Sequence, residues 1–501
     1  MADHAVCATG DVEYSGGLGP SPLTLTLSRW RERAGVRVPC YPEHHTMAKR
    51  IYFNAFQMNC VVHQSPGLWV RDDDHMVDYK SLKHWVKFAQ LIERGCFDAI
   101  FLADVLSTYD VYGGNHNAAL INATQTPVND PMLLIPAMAA ATEHLGFGFT
   151  SSILQHHPFT FARLITTLDH LTEGRVAWNI VTSYLESSGR SYGLPGLPDH
   201  DVRYAMADEY CRVCYRLWED SWADDAVLAD KLRGIYTDPS RVRDIVHQGK
   251  YYKVNGPHIS EPSPQRTPVL FQAGSSARGT DFAAEHSECV FVIGSTPRVA
   301  GDYAQAIKNK LANYGRKPDD VLCFAYMKII TGSTEAEARA KYDEYYNQVS
   351  YEGALALLCG WSGIDLSKYE PDQPVEYIET NAVRTFLHSF TLADPNRMWT
   401  MRDIANYVGI GGAGPVLVGA PEQIADQLED WIAAGVDGFN LAHATLPGSC
   451  EDFIDGVVPV LQKRGRMQRE YRPGSLREKL FDGRPARAQL PHPAAKSRRP
   501  W

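Results

Sequence analysis

Four short stretches of this chain share one design, and that design narrows the folds open to it. Val176-Ala-Trp-Asn-Ile-Val-Thr-Ser183, Ile100-Phe-Leu-Ala-Asp-Val105, Gly146-Phe-Gly-Phe-Thr-Ser151 and Val269-Leu-Phe-Gln-Ala-Gly-Ser-Ser276 each begin apolar and end polar. A continuous apolar run with no alternation suits a strand buried on both faces, as in a parallel sheet. Polar groups at the C-terminal ends of several parallel strands are how a (β/α)8 barrel assembles an active site on one face.

Further strand candidates near 51–56, 289–293, 321–330 and 438–442 bring the number to eight. Helical patterns separate them: Leu82–Arg94, Met132–His144, Phe159–Leu171, Tyr204–Trp218, Arg298–Tyr314 and Glu335–Gln348. Pro421–Ile432 precedes the last strand and Cys450–Gln462 follows it. Eight strands alternating with helices predict an α/β fold, a TIM barrel. Residues 47–470 are expected to form this single domain, with insertions near 184–268 and 350–415, after the fourth and seventh strands. Such insertions on a barrel usually serve as active-site loops and lids. Residues 1–46 are rich in Gly, Pro and Arg and lack an apolar signal core, so they read as a disordered extension or an upstream-start artefact before Met47. Residues 471–501, basic and rich in proline, read as an exposed tail.

Composition excludes several functions. A net charge of −10 argues against general nucleic-acid or anionic-membrane binding, which use a basic face. No apolar run approaches the roughly 20 residues that span a bilayer. Ten cysteines without regular spacing suggest reduced thiols and a cytoplasmic protein. Cys211 and Cys214 sit within a helical pattern and read as packing thiols.

Gly409-Ile-Gly-Gly-Ala-Gly414 satisfies a dinucleotide fingerprint, but a helical pattern precedes it and an extended segment follows. The mechanism needs the reverse order, so it reads as a flexible loop. His156, His157 and His200 lack a third ligand at metal-like spacing, and no metal is expected. Asp104 ends an apolar strand, where a charge needs a partner or solvent; a helix cap or loop ion pair is the plainer explanation. His200-Asp-Val-Arg-Tyr204 and Ser276 open helices whose free N–H groups suit a phosphate, although ordinary capping explains them as well.

Taken together these stretches resemble the bacterial-luciferase-like flavin monooxygenases. The resembling branch holds nitrilotriacetate monooxygenase component A, dibenzothiophene sulfone monooxygenase and dimethyl-sulfide monooxygenase. Further support lies in Asn54–Trp69, Glu93–Asp104, Thr142–Gly148 and Thr167–Ser183, and the resemblance spans roughly Arg50 to Tyr471. It implies reduced FMN (FMNH2) as cofactor, delivered by a separate NAD(P)H-dependent flavin reductase, with O2 activated as a C4a-peroxyflavin in a closed, dry pocket. It implies FMN contacts from Asp104, Thr150, His200, Tyr204 and Ser276. Asn179 and Ser183 would lie beside the flavin ring as catalytic residues, with His63 on the substrate side. It also implies a homodimer or higher homo-oligomer. Trp361 stands where the sulfone branch carries a histidine, whereas Asp110-Val-Tyr-Gly-Gly114 matches the dimethyl-sulfide type, so a small organosulfur substrate is expected. Aminopolycarboxylate or aromatic sulfone oxygenation, a deazaflavin-dependent oxidoreductase and a flavin-storage protein are the alternatives.

Overall fold

A computed structural model of the chain describes residues 49–374, 398–412 and 414–501. The expectation for residues 1–46 lies outside the described residues. All eight expected strands form: β1 (Tyr52–Met58), β2 (Ala99–Ala103), β3 (Gly146–Ser152), β4 (Val176–Val181), β5 (Val269–Gln272), β6 (Cys289–Val292), β7 (Leu322–Thr331) and β8 (Gly438–Ala442). Each pairs in parallel with its successor, and β8 pairs back onto β1 with Phe56 opposite Ala442. The barrel is closed. A further strand, Val416–Gly419, pairs with the far end of β7.

Ten helices organise the exterior: α1 (Leu82–Arg94), α2 (Ile135–Ala140), α3 (Pro158–Leu171), α4 (His200–Asp220), α5 (Ala277–His286), α6 (Pro297–Lys310), α7 (Glu335–Asn347), α8 (Tyr351–Ser362), α9 (Met401–Gly411) and α10 (Pro421–Ala434). Outward strand residues such as Phe53, Ile100, Phe147 and Trp178 are buried in the same cluster as apolar residues of these helices. Inward Phe56, Phe101, Phe271, Phe291, Phe324 and Tyr326 fill the interior. Both faces are apolar, which is why the strands read as unbroken runs. A polar pair lies among them on adjacent β1 and β8, where Asn54 Nδ2 donates to Asn440 Oδ1 at 2.9 Å.

Three expectations need correction. The residues after β4 serve two purposes, and only the first part, up to the start of α4, lies at the C-terminal rim. Over its 21 residues α4 runs down the outside of the barrel to Glu219, which accepts from Thr267 Oγ1 at 2.7 Å just before β5. Two hairpins follow (Val227–Asp230 with Ile235–Thr237, and Ile245–Gln248 with Lys253–Gly256). The second packs on the flank of α4, where Glu209 accepts the Tyr252 N–H at 2.8 Å and Tyr252 meets Tyr210 edge-on. It buttresses the barrel and is no lid. The second insertion does cover the rim, since α8 and α9 share a buried cluster with Met58 at the end of β1 and with Val105 and Tyr109 from the loop after β2.

The glycine motif is largely helical, because Gly409 and Gly411 end α9 and the turn comes at Gly412, φ +65°. The C-terminal segment is docked, not exposed. Leu476, Leu480 and Phe481 close the N-terminal end of the barrel interior, and Ala494 and Ala495 are buried. Its basic residues are matched by acids far away in sequence: Arg477 by Glu288, Arg487 and Arg498 by Glu219, Arg499 by Asp220. No helix among the described residues is long and apolar enough to cross a membrane.

Candidate active site

The ends of β2, β3 and β4 form one half of the C-terminal rim. Inward-facing Asn179 on β4 donates from Nδ2 to Thr150 Oγ1 on β3 at 2.9 Å. Its Oδ1 is buried and has no hydrogen-bond partner. Ser183 sits in the left-handed region, φ +64°, and its hydroxyl lies 2.9 Å from Ser152 Oγ. A side chain other than glycine held there stores strain, a common trait of functional positions. Gln155 ties the strand ends together. It accepts from Ser151 Oγ at 2.7 Å and Ser152 N–H at 2.8 Å, and donates to Asp104 Oδ2 at 3.3 Å. Asp104 also accepts its neighbour's N–H, from Val105, at 2.9 Å. Burial, with the Asp130 charge adding to it, raises the Asp104 carboxyl to about 7. A single cavity is lined by Asp104, Thr150, Ser152, Ser183 and Tyr184.

Beside it, the N-termini of α4 and α5 meet. His200 Nε2 lies 3.1 Å from Ser276 Oγ, which caps α5 by accepting the Gly279 N–H at 2.9 Å. Buried Tyr204 accepts from Gln272 Nε2 at 3.3 Å. Gly274 and Gly279 let the backbone pack tightly against Tyr204, since a Cβ on Gly274 would stand 2.3 Å from Tyr204 Oη. The N-termini of α4 and α5 converge here, and α4 has no side-chain cap on its first-turn N–H groups, a setting that suits an anion.

His63 belongs to the opposite half of the rim, built by β7, β8 and β1. Its ring meets Phe56 edge-on at 4.5 Å, and it shares a cavity with His443 and Ser65. The structure therefore gathers Asp104, Thr150, Asn179 and Ser183 in one cluster and His200, Tyr204 and Ser276 in another, with His63 in a third. A hydrogen-bonded chain links the halves. Tyr109 Oη lies 2.5 Å from Tyr184 Oη and donates to Gln125 Oε1 at 2.8 Å, and Gln125 Nε2 donates to the His63 carbonyl at 2.7 Å.

Sequence reasoning missed Gln155, Tyr184, Lys328 and His443. Lys328 carried a legible signal, a charge within the apolar strand 321–330, the same signal that marked Asp104. Burial lowers its amine to about 7. Burial and then the Lys328 charge lower His63 to about 3. Unfolded, Lys328 titrates near 10.4, so folding penalises its charged form. That penalty is whole below about pH 7 and fades as pH rises toward the unfolded value. Lys328→Met is therefore expected to raise the melting temperature at about pH 6 and to raise it much less at about pH 10. Thermal unfolding at both pH values checks this.

Among the described residues one group has metal-like spacing: Asp208, Glu285 and His286. Within it Arg278 pairs with Asp208.

A closed barrel with its polar residues gathered on the C-terminal rim defines an enzyme of the α/β-barrel class. The family model for luciferase-like monooxygenases matches residues 52–438, and the chain belongs to that family. It is 51% identical to the dimethyl-sulfide monooxygenase of Hyphomicrobium sulfonivorans, over 90% of this chain and 94% of that protein. Identity to the long-chain alkane monooxygenase of Geobacillus thermodenitrificans (strain NG80-2) is 45%, over 90% of this chain and 99% of that protein. The crystal structure of DmoA from Hyphomicrobium sulfonivorans superposes with a TM-score of 0.86 at 51% identity, covering 90% of this chain and 96% of that one.

Proposed function

We propose that the chain is the oxygenase of a two-component system that takes FMNH2 from a separate flavin reductase and oxygenates a small organosulfur compound. The carrying observation is the buried, unpartnered Asn179 Oδ1 on the same rim as the glycine cradle at Ser276 and His200. A buried acceptor without a donor costs about 1–3 kcal/mol, and a flavin ring N–H is a donor that fits it. The helix N-termini of α4 and α5 fit the FMN phosphate.

Reduced FMN, when bound, supplies two electrons to O2, so that one oxygen atom enters the substrate and the other leaves as water. The residues do the rest. Ser276, His200 and the first-turn N–H groups of α4, which no side chain caps, would hold the phosphate beside Tyr204. Asn179 and Thr150 orient the ring. Burial holds the Asp104 carboxyl above its usual range, which lessens the charge it adds to a site that must stay dry. The rim cover from α8 and α9 excludes water.

The purified chain is expected to convert dimethyl sulfide when supplied with FMN, NADH and a generic flavin reductase. Product formed under ¹⁸O2 carries one labelled oxygen per turnover. Turnover with a reduced deazaflavin and no oxygen would replace this reading.

A further inference from the structure

The β7–β8–β1 half of the rim holds three basic side chains that this chemistry does not use. Lys328 faces inward, two residues beyond Tyr326, and is fully buried. Its Nζ donates to Ser65 Oγ and lies 3.4 Å from the Gln64 carbonyl. His443, just past β8, is half-buried, and its Nε2 is buried and unpartnered. His63 completes the group, and burial, then the Lys328 charge, lower both imidazoles. Both stay neutral near neutral pH and can turn an N–H toward a ligand.

Among the described residues no carboxylate forms an ion pair with Lys328, and burial lowers its amine. Asp74 lines the same cavity as His63 and His443, but its carboxylate accepts the Leu446 N–H at 2.9 Å. Burying an ammonium without a counter-charge costs several kcal/mol. Such an arrangement persists where the counter-charge arrives with a ligand. A neutral thioether gains nothing from it.

We propose that Lys328, with His63 and His443, receives an acidic group, so that the substrate is an organosulfur compound carrying a carboxylate or a sulfonate. This rests on the oxygenase reading above. The acid anchors on β7–β8–β1 while the sulfur lies toward β2–β4, across the barrel mouth, where Asn179 and Ser183 stand. Substrate selection then comes from charge on one wall and oxygenation occurs near the other.

The test measures kcat and KM, with FMNH2 supplied, for dimethyl sulfide, (methylthio)acetate and 2-(methylthio)ethanesulfonate in the wild type and in Lys328→Met. A hydrogen-bonded charge pair is worth tenfold or more. KM for at least one acid is expected to lie about tenfold or more below that for dimethyl sulfide. Lys328→Met is expected to raise the acid's KM by about tenfold while leaving dimethyl sulfide unchanged. The same acid should raise the melting temperature of the flavin-free wild type and not of the variant. Equal KM values for acid and neutral sulfide, or equal losses for both in Lys328→Met, would overturn the proposal. If no sulfur compound is oxygenated, the reading of the reaction fails, and the melting shift alone decides the anion site.

Discussion

Arg477→Ala is expected to destabilise the protein by about 3–5 kcal/mol, the usual cost of orphaning a buried ion. Arg477 is almost wholly buried, and its Nε and Nη2 bond the two Glu288 oxygens at 2.7 and 2.8 Å. The same guanidinium caps the carbonyls of Thr267 and Pro268, where β5 begins. Alanine would leave the Glu288 carboxylate buried without its counter-charge, bonded by the Leu270 N–H alone, and two carbonyls without donors. Glu288→Leu combined with Arg477→Met is expected to lose less than the single variant, because no charge is then left alone, although the two carbonyls remain unbonded. Urea unfolding of the three proteins measures the difference. The pair also sets an acid limit. Burial raises the Glu288 carboxyl, but Arg477 outweighs this and holds it at about 2. Its folded value thus lies below the unfolded one near 4.3. The stability it contributes is present above about pH 4 and lost as pH falls through about 2.

Asn179→Leu is expected to separate stability from activity. Leucine removes the unpartnered Oδ1 and frees Thr150 Oγ1 from its donor, so the melting temperature should hold or rise. Turnover should fall by about a hundredfold or more, the usual cost of losing one preorganised polar group at a reacting centre. An active, unchanged Asn179→Leu would mean that the β3–β4 strand ends hold nothing. A site that lowers stability for the sake of function is a familiar trade.

The barrel was legible because both faces of each strand are buried, and unbroken apolar runs record that directly. Asp104, Thr150, Asn179 and Ser276 were legible because a polar group ending such a run breaks a local rule. Lys328 broke the same rule and was passed over inside a long strand, and His443 stands one residue beyond β8 with no motif around it. The C-terminal segment misled for another reason. Its arginines and prolines have the composition of a tail, whereas their partners Glu219, Asp220 and Glu288 lie some two to three hundred residues earlier. Ion pairs of that separation leave no local trace. The hairpins beside α4 read as lid from the sequence because length alone says nothing about which end of a barrel an insertion occupies.

The most direct test is an anaerobic titration of the protein with FMNH2, followed by fluorescence, beside the same titration of Gly274→Val. The expected result is saturable binding at one flavin per chain in the wild type, weakened about tenfold or more where the valine side chain crowds Tyr204 and the phosphate cradle. Absence of saturable binding, or equal affinity in the variant, would contradict a flavin site on this rim.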